Sequence, residues 1–339
     1  MIGFTAPTRL GPAGKAGFIF PTPTTEIQIM LKPGQDFVQQ GKDRRLKDDL
    51  FELIRLAVRE DLDRSFDLTT VAMVPAELKA SAEICTRSTG IAAGVDLLPW
   101  MIEALDVSLS CELRIFDGKA FSPKQVLAIL RGNGRDILTC ERILLNLLGR
   151  LCGIATWTQA HVSLIEDLET KLYDTRKTTP GWRRLEKYAT RCGGAMNHRS
   201  GLYEAIMVKD NHLACDAHQT GKLLSPIEVV RKLREFCKNS DDTKPDTIIE
   251  IEVDTLEQLK EALDAQPDIV LLDNMSVQTL REAVAMRDSK SPGVQLEASG
   301  GITQETLRAK ADTGVERISL GALTHSAVNL DLGLDWKLQ

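Results

Sequence analysis

Short runs of aliphatic and β-branched residues recur through the second half of the chain, the later ones about 20–25 residues apart. They fall at 171–174, 205–208, 248–253, 269–272, 294–298 and 317–320. Helical patterns such as 256–263 and 277–286 fill the intervals. Strand–helix alternation with nearly continuous apolar strands calls for a parallel sheet whose faces are covered by helices. Six such units in about 170 residues fit a (β/α) barrel short of its full strand number. An open doubly wound sheet is the alternative.

The first half has another rhythm. Residues 48–59 place Leu50, Leu53, Ile54, Ala57 and Val58 on one helical face. An acidic loop is expected over 60–70, strands over 80–87, 109–116 and 120–131, and helices over 99–105 and 136–151. This reads as a small α/β open-faced sandwich. The 339 residues suit about two domains of roughly 100–200 residues. The expected division is a loosely ordered N-terminal extension over 1–45, a sandwich domain over 46–150 and a barrel over 151–326. A final segment, 327–339, packs back on the sandwich.

Composition excludes several classes. A net charge of -6 argues against a dedicated nucleic-acid binder, whose footprint is basic overall. Seven cysteines, none in a C-x-x-C pair, indicate neither a disulfide framework nor a zinc cluster, and suit a reducing cytoplasm. No apolar run reaches the roughly 18 residues of a membrane span.

The strand ends carry the chemistry. They read Thr175-Arg176-Lys177-Thr178, Lys209-Asp210-Asn211-His212, Asp273-Asn274, Ser299-Gly300-Gly301 and Gly321. In a parallel barrel all strand C-termini open on one face, so these groups converge although none is near another in sequence. Ser299-Gly300-Gly301 opens a helix through Thr303, and glycines there let backbone N–H groups approach a phosphate. Gly321 extends that clamp. Residues 171–212 hold nine Lys or Arg against four Asp or Glu. Such a segment suits a small, highly anionic substrate. The plainer reading, a solvated helix face, applies to at least one of Arg183, Arg184 and Lys187.

In Glu250-Ile251-Glu252-Val253, alternation puts both glutamates on one strand face. Pointing inward, a carboxylate costs several kcal/mol unless paired or metal-bound. Glu252 with Asp273 suits Mg2+ carrying a phosphorylated substrate; Glu250 is expected to pair with a barrel lysine. His198 beside Arg199 is either an anion contact or a structural hydrogen-bonding group.

Seven motifs in order then carry a resemblance: T-R-K-T-T-P-G (175–181), N-H-R-S-G-L (197–202), V-K-D-N-H (208–212), E-I-E-V-D (250–254), L-L-D-N (271–274), S-G-G-I (299–302) and S-L-G-A-L-T-H-S (319–326). The chain from about 48 to 335 resembles the quinolinate phosphoribosyltransferases, a type II phosphoribosyltransferase family. Residues 1–45 have no identifiable counterpart, and Tyr203-Glu204 departs from the common pattern.

The resemblance implies transfer of phosphoribosyl from phosphoribosyl pyrophosphate to quinolinate with decarboxylation, in NAD biosynthesis. It implies Mg2+, a cytoplasmic enzyme and a head-to-tail homodimer with a shared site. By position, Thr175, Arg176, Lys177, His198, Arg199, Lys209 and His325 would line the substrate site. Glu252 and Asp273 would hold ribose hydroxyls and Mg2+, largely through substrate or water. Ser299, Gly300, Gly301 and Gly321 would cradle the 5'-phosphate, and Arg142 would reach the neighbouring subunit. Lys177, Glu252 and Asp273 are the expected catalytic groups. The alternatives are a nicotinate-specific sister enzyme or the related molybdenum-locus protein, a Schiff-base aldolase using Lys177 or Lys209, and a non-enzymatic anion binder.

Overall fold

The computed structural model describes residues 36–337, apart from 222–223, 241–242 and 245. The first helix, α1 (Arg44–Leu62), is capped by Asp43, whose carboxylate accepts the Leu46 amide. Its Leu46, Leu50 and Ile54 recur every fourth residue and are buried, the stripe by which a surface helix meets its core. Helix α2 (Leu68–Met73) starts on Asp67, which accepts from the Thr70 amide and hydroxyl. The acidic stretch 60–70, expected as a loop, is therefore helical at both ends, because Asp67 caps a helix instead of facing only water.

Next come β1 (Lys79–Thr86), β2 (Gly90–Ile91), α3 (Leu98–Ala104), β3 (Ser110–Leu113), β4 (Ala120–Phe121), β5 (Val126–Asn133) and α4 (Gly134–Val162). The single strand expected over 120–131 is two, broken at the turn where Lys124 has a positive φ.

The second half runs β6 (Lys171–Tyr173), α5 (Arg183–Cys192), β7 (Ile206–Val208), α6 (Asp210–Thr220), α7 (Pro226–Asn239), β8 (Ile249–Val253), α8 (Leu256–Ala265), β9 (Ile269–Asp273) and α9 (Val277–Lys290). It continues through β10 (Gln295–Ser299), α10 (Gln304–Ala311), β11 (Arg317–Ser319), α11 (Ala322–His325) and β12 (Leu332–Lys337).

The parallel sheet has the order β6-β11-β10-β9-β8-β7. Strands follow chain order except that the first lies beside the last, which is the signature of a ring. A doubly wound sheet reverses its order at a switch point instead. A lone parallel bridge from Tyr173 to Met196 adds a position beyond β6. Among the described residues no ladder joins that position to β7, so the barrel is incomplete there. The helix following β6 explains why. Leu185, Tyr188 and Ala189 of α5 enter the core built by α1, α3 and α4, not the barrel core.

Strand β12 pairs antiparallel with β1, giving a second sheet of order β12-β1-β5-β3. The last strand of the chain thus completes the sheet of the first half. Residues 36–43, expected to be loose, are packed: Phe37 is buried, and α1 already begins at Arg44. Residues 1–35 lie outside the described residues.

Candidate active site

The C-terminal ends of the barrel strands enclose a cleft of about 660 Å³, within the usual size of small-molecule sites. Thr175, Arg176 and Lys177 reach it from the end of β6, Lys209 from β7, Glu252 from β8 and Asp273 from β9. Ser299, Gly300 and Gly301 follow from β10, and Gly321 and His325 from β11 and α11. His198 and Arg199 complete the wall from the segment after Met196.

The cations fall into two kinds. Arg176 and Lys177 are exposed, and neither side chain has an ion pair or hydrogen bond among the described residues. Arg199 is buried; its guanidinium donates to the Ala205 carbonyl at 2.9 Å. Burial, with Arg176 nearby, pulls its pKa below the usual arginine value. Lys209 is ion-paired with Glu252. An anion entering the cleft would satisfy the first pair outright and compete for Lys209.

The glycines are where backbone must come close. Gly300 has φ +84, and a Cβ there would lie 2.3 Å from Asn274 Oδ1. A Cβ on Gly321 would meet Lys177 Cδ at 2.8 Å. The first glycine meets a left-handed backbone demand; the second lets the Lys177 stem cross the strand end. The Thr303 amide donates to Thr306 Oγ1 at 2.9 Å as α10 begins behind the Gly-Gly turn.

The loop carrying Arg176 and Lys177 is tied from behind. Buried Glu186 accepts from Arg150 Nη2 at 2.8 Å and from Thr179 Oγ1 at 2.9 Å. Arg150 also donates to the carbonyls of Thr324 and Ala327, at 2.7 Å each. Helices α4 and α5 and the chain leaving α11 are thereby locked around one charge pair.

The floor is a buried polar network. His198 Nε2 lies 3.2 Å from Glu250 and 3.4 Å from Glu297. Glu297 accepts from Arg317 Nε at 3.0 Å. Burial alone would lower the His198 pKa, but the Glu297 and Glu250 carboxylates outweigh it and push it up to about 9. The Arg199 amide donates to His198 Nδ1 at 2.8 Å; only the neutral ring, with its proton on Nε2, makes this contact, so it works against the charged form that the carboxylates favour. Burial and Glu297 raise the Glu250 pKa. Glu297 goes the other way. Burial would raise it, yet His198 and Arg317 bring it down to about 2.

Two family models match the chain: "Quinolinate phosphoribosyl transferase, N-terminal domain" over 67–152 and "Quinolinate phosphoribosyl transferase, C-terminal domain" over 154–335. The chain belongs to the quinolinate phosphoribosyl transferase family. It is 40% identical to the nicotinate-nucleotide pyrophosphorylase [carboxylating] of Mycobacterium leprae over 84% of this chain and 96% of that one. A probable nicotinate-nucleotide pyrophosphorylase [carboxylating] of Bacillus subtilis is 41% identical over 79% of this chain and 87% of its own length. Among solved structures, the nicotinate-nucleotide pyrophosphorylase of Francisella tularensis aligns with TM-score 0.78 and 35% identity, covering 89% of this chain and 100% of that one.

For a quinolinate phosphoribosyl transferase family member, two carboxylate sets could hold a cation. Glu252 and Asp273 are partly exposed hard-oxygen donors in the cleft wall, the donor class Mg2+ takes. His198, Glu250 and Glu297 are close enough to share an ion. In the neutral ring that accepts from the Arg199 amide, and in the charged ring alike, Nε2 carries a proton and has no lone pair for a metal.

All the expected site residues but one line this cleft. Arg142 is exposed on α4 and takes no part in it. Glu250 pairs with His198, not with a lysine as expected. Lys187, read as a candidate for a solvated face, is fully buried and ion-paired with Asp174. Glu297 was missed, although the alternation that singled out Glu250 and Glu252 also puts Gln295, Glu297 and Ser299 on one face of β10. Asp174 was counted only as a charge; it accepts from Thr190 Oγ1, Asn197 Nδ2 and the His198 amide as well as from Lys187.

Proposed function

We infer that this chain transfers phosphoribosyl from phosphoribosyl pyrophosphate to quinolinate, releasing pyrophosphate and CO2 and leaving nicotinate mononucleotide. One observation carries the reading. A single cleft holds two cations without protein partners, a cation paired to a carboxylate, and a Gly-Gly turn at a helix start. A dicarboxylate needs the first, a ribose ring the second, a 5'-phosphate the third.

In this reading the quinolinate carboxylates lie against Arg176, Lys177, His198 and Arg199. The pyridine nitrogen forms a bond to ribose C1 as the C1–O bond breaks, its electron pair leaving with pyrophosphate. Glu252 and Asp273 face the positive charge that builds at C1, while Lys177 and Lys209 face the charge on the leaving oxygens. The ribosylated ring is a pyridinium. It accepts the electron pair when the 2-carboxylate leaves as CO2, and a proton then fills the ring carbon. Mg2+, held through substrate or water by Glu252 and Asp273, would supply further charge stabilisation on the pyrophosphate.

The unit is proposed to be a homodimer in which Arg142 of each chain reaches the other's cleft; its exposure away from its own cleft suits that role. The free cysteines, four of them buried, suit a cytoplasmic setting. No helix among the described residues is long and apolar enough to cross a membrane.

The deciding assay supplies purified protein, Mg2+ and phosphoribosyl pyrophosphate with quinolinate or nicotinate. CO2 and pyrophosphate should appear in equal amounts with quinolinate; turnover of nicotinate alone overturns the assignment. Arg142→Ala and Lys177→Ala should each be inactive, yet co-expressed chains should regain roughly a quarter of wild-type activity, because half the random dimers carry one intact site. No regain, with mixed dimers present by mass, removes the shared-site proposal.

A further inference from the structure

Residues 36–40 precede the stretches matched by the family models, yet they touch the floor of the cleft from the opposite end of the barrel. Phe37 packs with Ala205, Ile248 and Ile269, at the starts of β7, β8 and β9, where it closes the lower mouth. Its ring stacks on His198 at 4.3 Å. Asp36 accepts from the Tyr173 hydroxyl at 2.9 Å and from Arg317 Nη1 at 3.2 Å. Arg317 in turn lies over both the Phe37 and Tyr173 rings.

The next residues grip Asn197, the neighbour of His198. The Gln39 side chain accepts the Asn197 amide at 2.7 Å and donates to its carbonyl at 3.1 Å. The Gln40 amide donates to Asn197 Oδ1 at 2.7 Å. The Val38 amide donates to Glu204 Oε1 at 2.7 Å, and Glu204 Oε2 accepts the Ser200 amide at 2.6 Å. These bonds fall where the barrel lacks a ladder, between the Met196 position and β7. A segment from outside the barrel thus ties Asn197 and Glu204 on either side of that gap, through the Gln39 side chain and the Val38 and Gln40 amides.

We propose that residues 36–40 form a strap that positions His198 and Arg199, and thereby sets how tightly the dicarboxylate substrate is held. Among the described residues no hydrogen bond, ion pair or ring contact joins the strap to the Ser299–Gly301 turn or Gly321, so its effect is expected on one substrate. This rests on the reading of the cleft given above. Phe37 and Gln39 are positioning residues, because each acts through His198 or Asn197.

The test measures KM for quinolinate and for phosphoribosyl pyrophosphate, together with Tm, on full-length variants. Gln39→Ala removes both hydrogen bonds to the backbone of buried Asn197, and should raise KM for quinolinate roughly threefold to tenfold while lowering Tm modestly. Phe37→Ala should raise it at least about as much, since it loses both the stack and the plug, and should lower Tm. Leu46→Ala, in the other core, is the control for destabilisation alone and should leave the ratio of the two KM values unchanged. An unchanged ratio in both strap variants, or equal rises in both KM values, overturns the strap while leaving the functional reading intact. Absence of turnover by the unaltered chain overturns both.

Discussion

The open rim of the barrel and the buried interior of the protein use the same residue types in opposite ways. At the rim, Arg176 and Lys177 stand exposed with no protein partner among the described residues. In the interior, Lys187 is buried and held by Asp174, and Arg317 by Glu297, Gln295 and Asp36. A buried cation stripped of its partner is expensive, so each of these two is held by a buried carboxylate and sets shape, although Arg317 Nη2 and both Glu250 oxygens have no hydrogen-bond partner among the described residues. An exposed cation can wait for its partner at little cost, so the rim is left to bind. Charge identity alone separates structure from function poorly; full burial against a carboxylate marks Lys187 and Arg317 as structural, whereas Lys209 keeps its partner Glu252 in the open cleft.

Three changes would break or sharpen that contrast. Lys177→Ala should reduce kcat/KM by about a thousandfold, the scale of losing a positioned cation at developing negative charge. Its Tm should stay within a degree or two, and near-normal turnover would place Lys177 outside the chemistry. Lys187→Ala should do the reverse. Leaving Asp174 buried without its cation should cost about 3–5 kcal/mol of stability by denaturant titration; a loss below about 1 kcal/mol would show that the buried network does not depend on that pair.

The smallest effect concerns Glu297. Its folded pKa is about 2 against an ordinary 4.5, so the native state binds this proton less readily than the unfolded chain. The resulting stabilisation is present above pH 4.5 and is lost as pH falls through about 2. It amounts to about 3 kcal/mol at most. Stability measured between pH 5 and pH 2 should therefore fall less steeply in Glu297→Gln than in the unaltered chain. An identical slope would mean that His198 and Arg317 do not hold this carboxylate ionised.

Much of the site was legible in the residues. The six strand runs lie within a residue or two of β6 to β11, because a buried parallel strand is marked by its own apolar composition. Rim residues follow from the same reading, since a strand's C-terminal end fixes which residues face the opening. The burial of Lys187 is hidden in the sequence, because it stands opposite the apolar stripe of Leu185, Tyr188, Ala189 and Cys192 and shares the polar side of its helix with Arg183 and Arg184. The packing of residues 36–43 was hidden too: a segment without periodicity gives no local sign that it docks.

What the chain alone determined is the repeating strand–helix order and the kinds of side chain at each strand tip, both properties of residues close in sequence. Only the tertiary structure decided partners. Arg317 meets Asp36 across 281 residues and Lys209 meets Glu252 across 43, while Arg142 is left outside the cleft its motif-mates share. Alternation and composition are local quantities. Which buried charge finds which counter-charge depends on how the helices pack and on where the barrel fails to close.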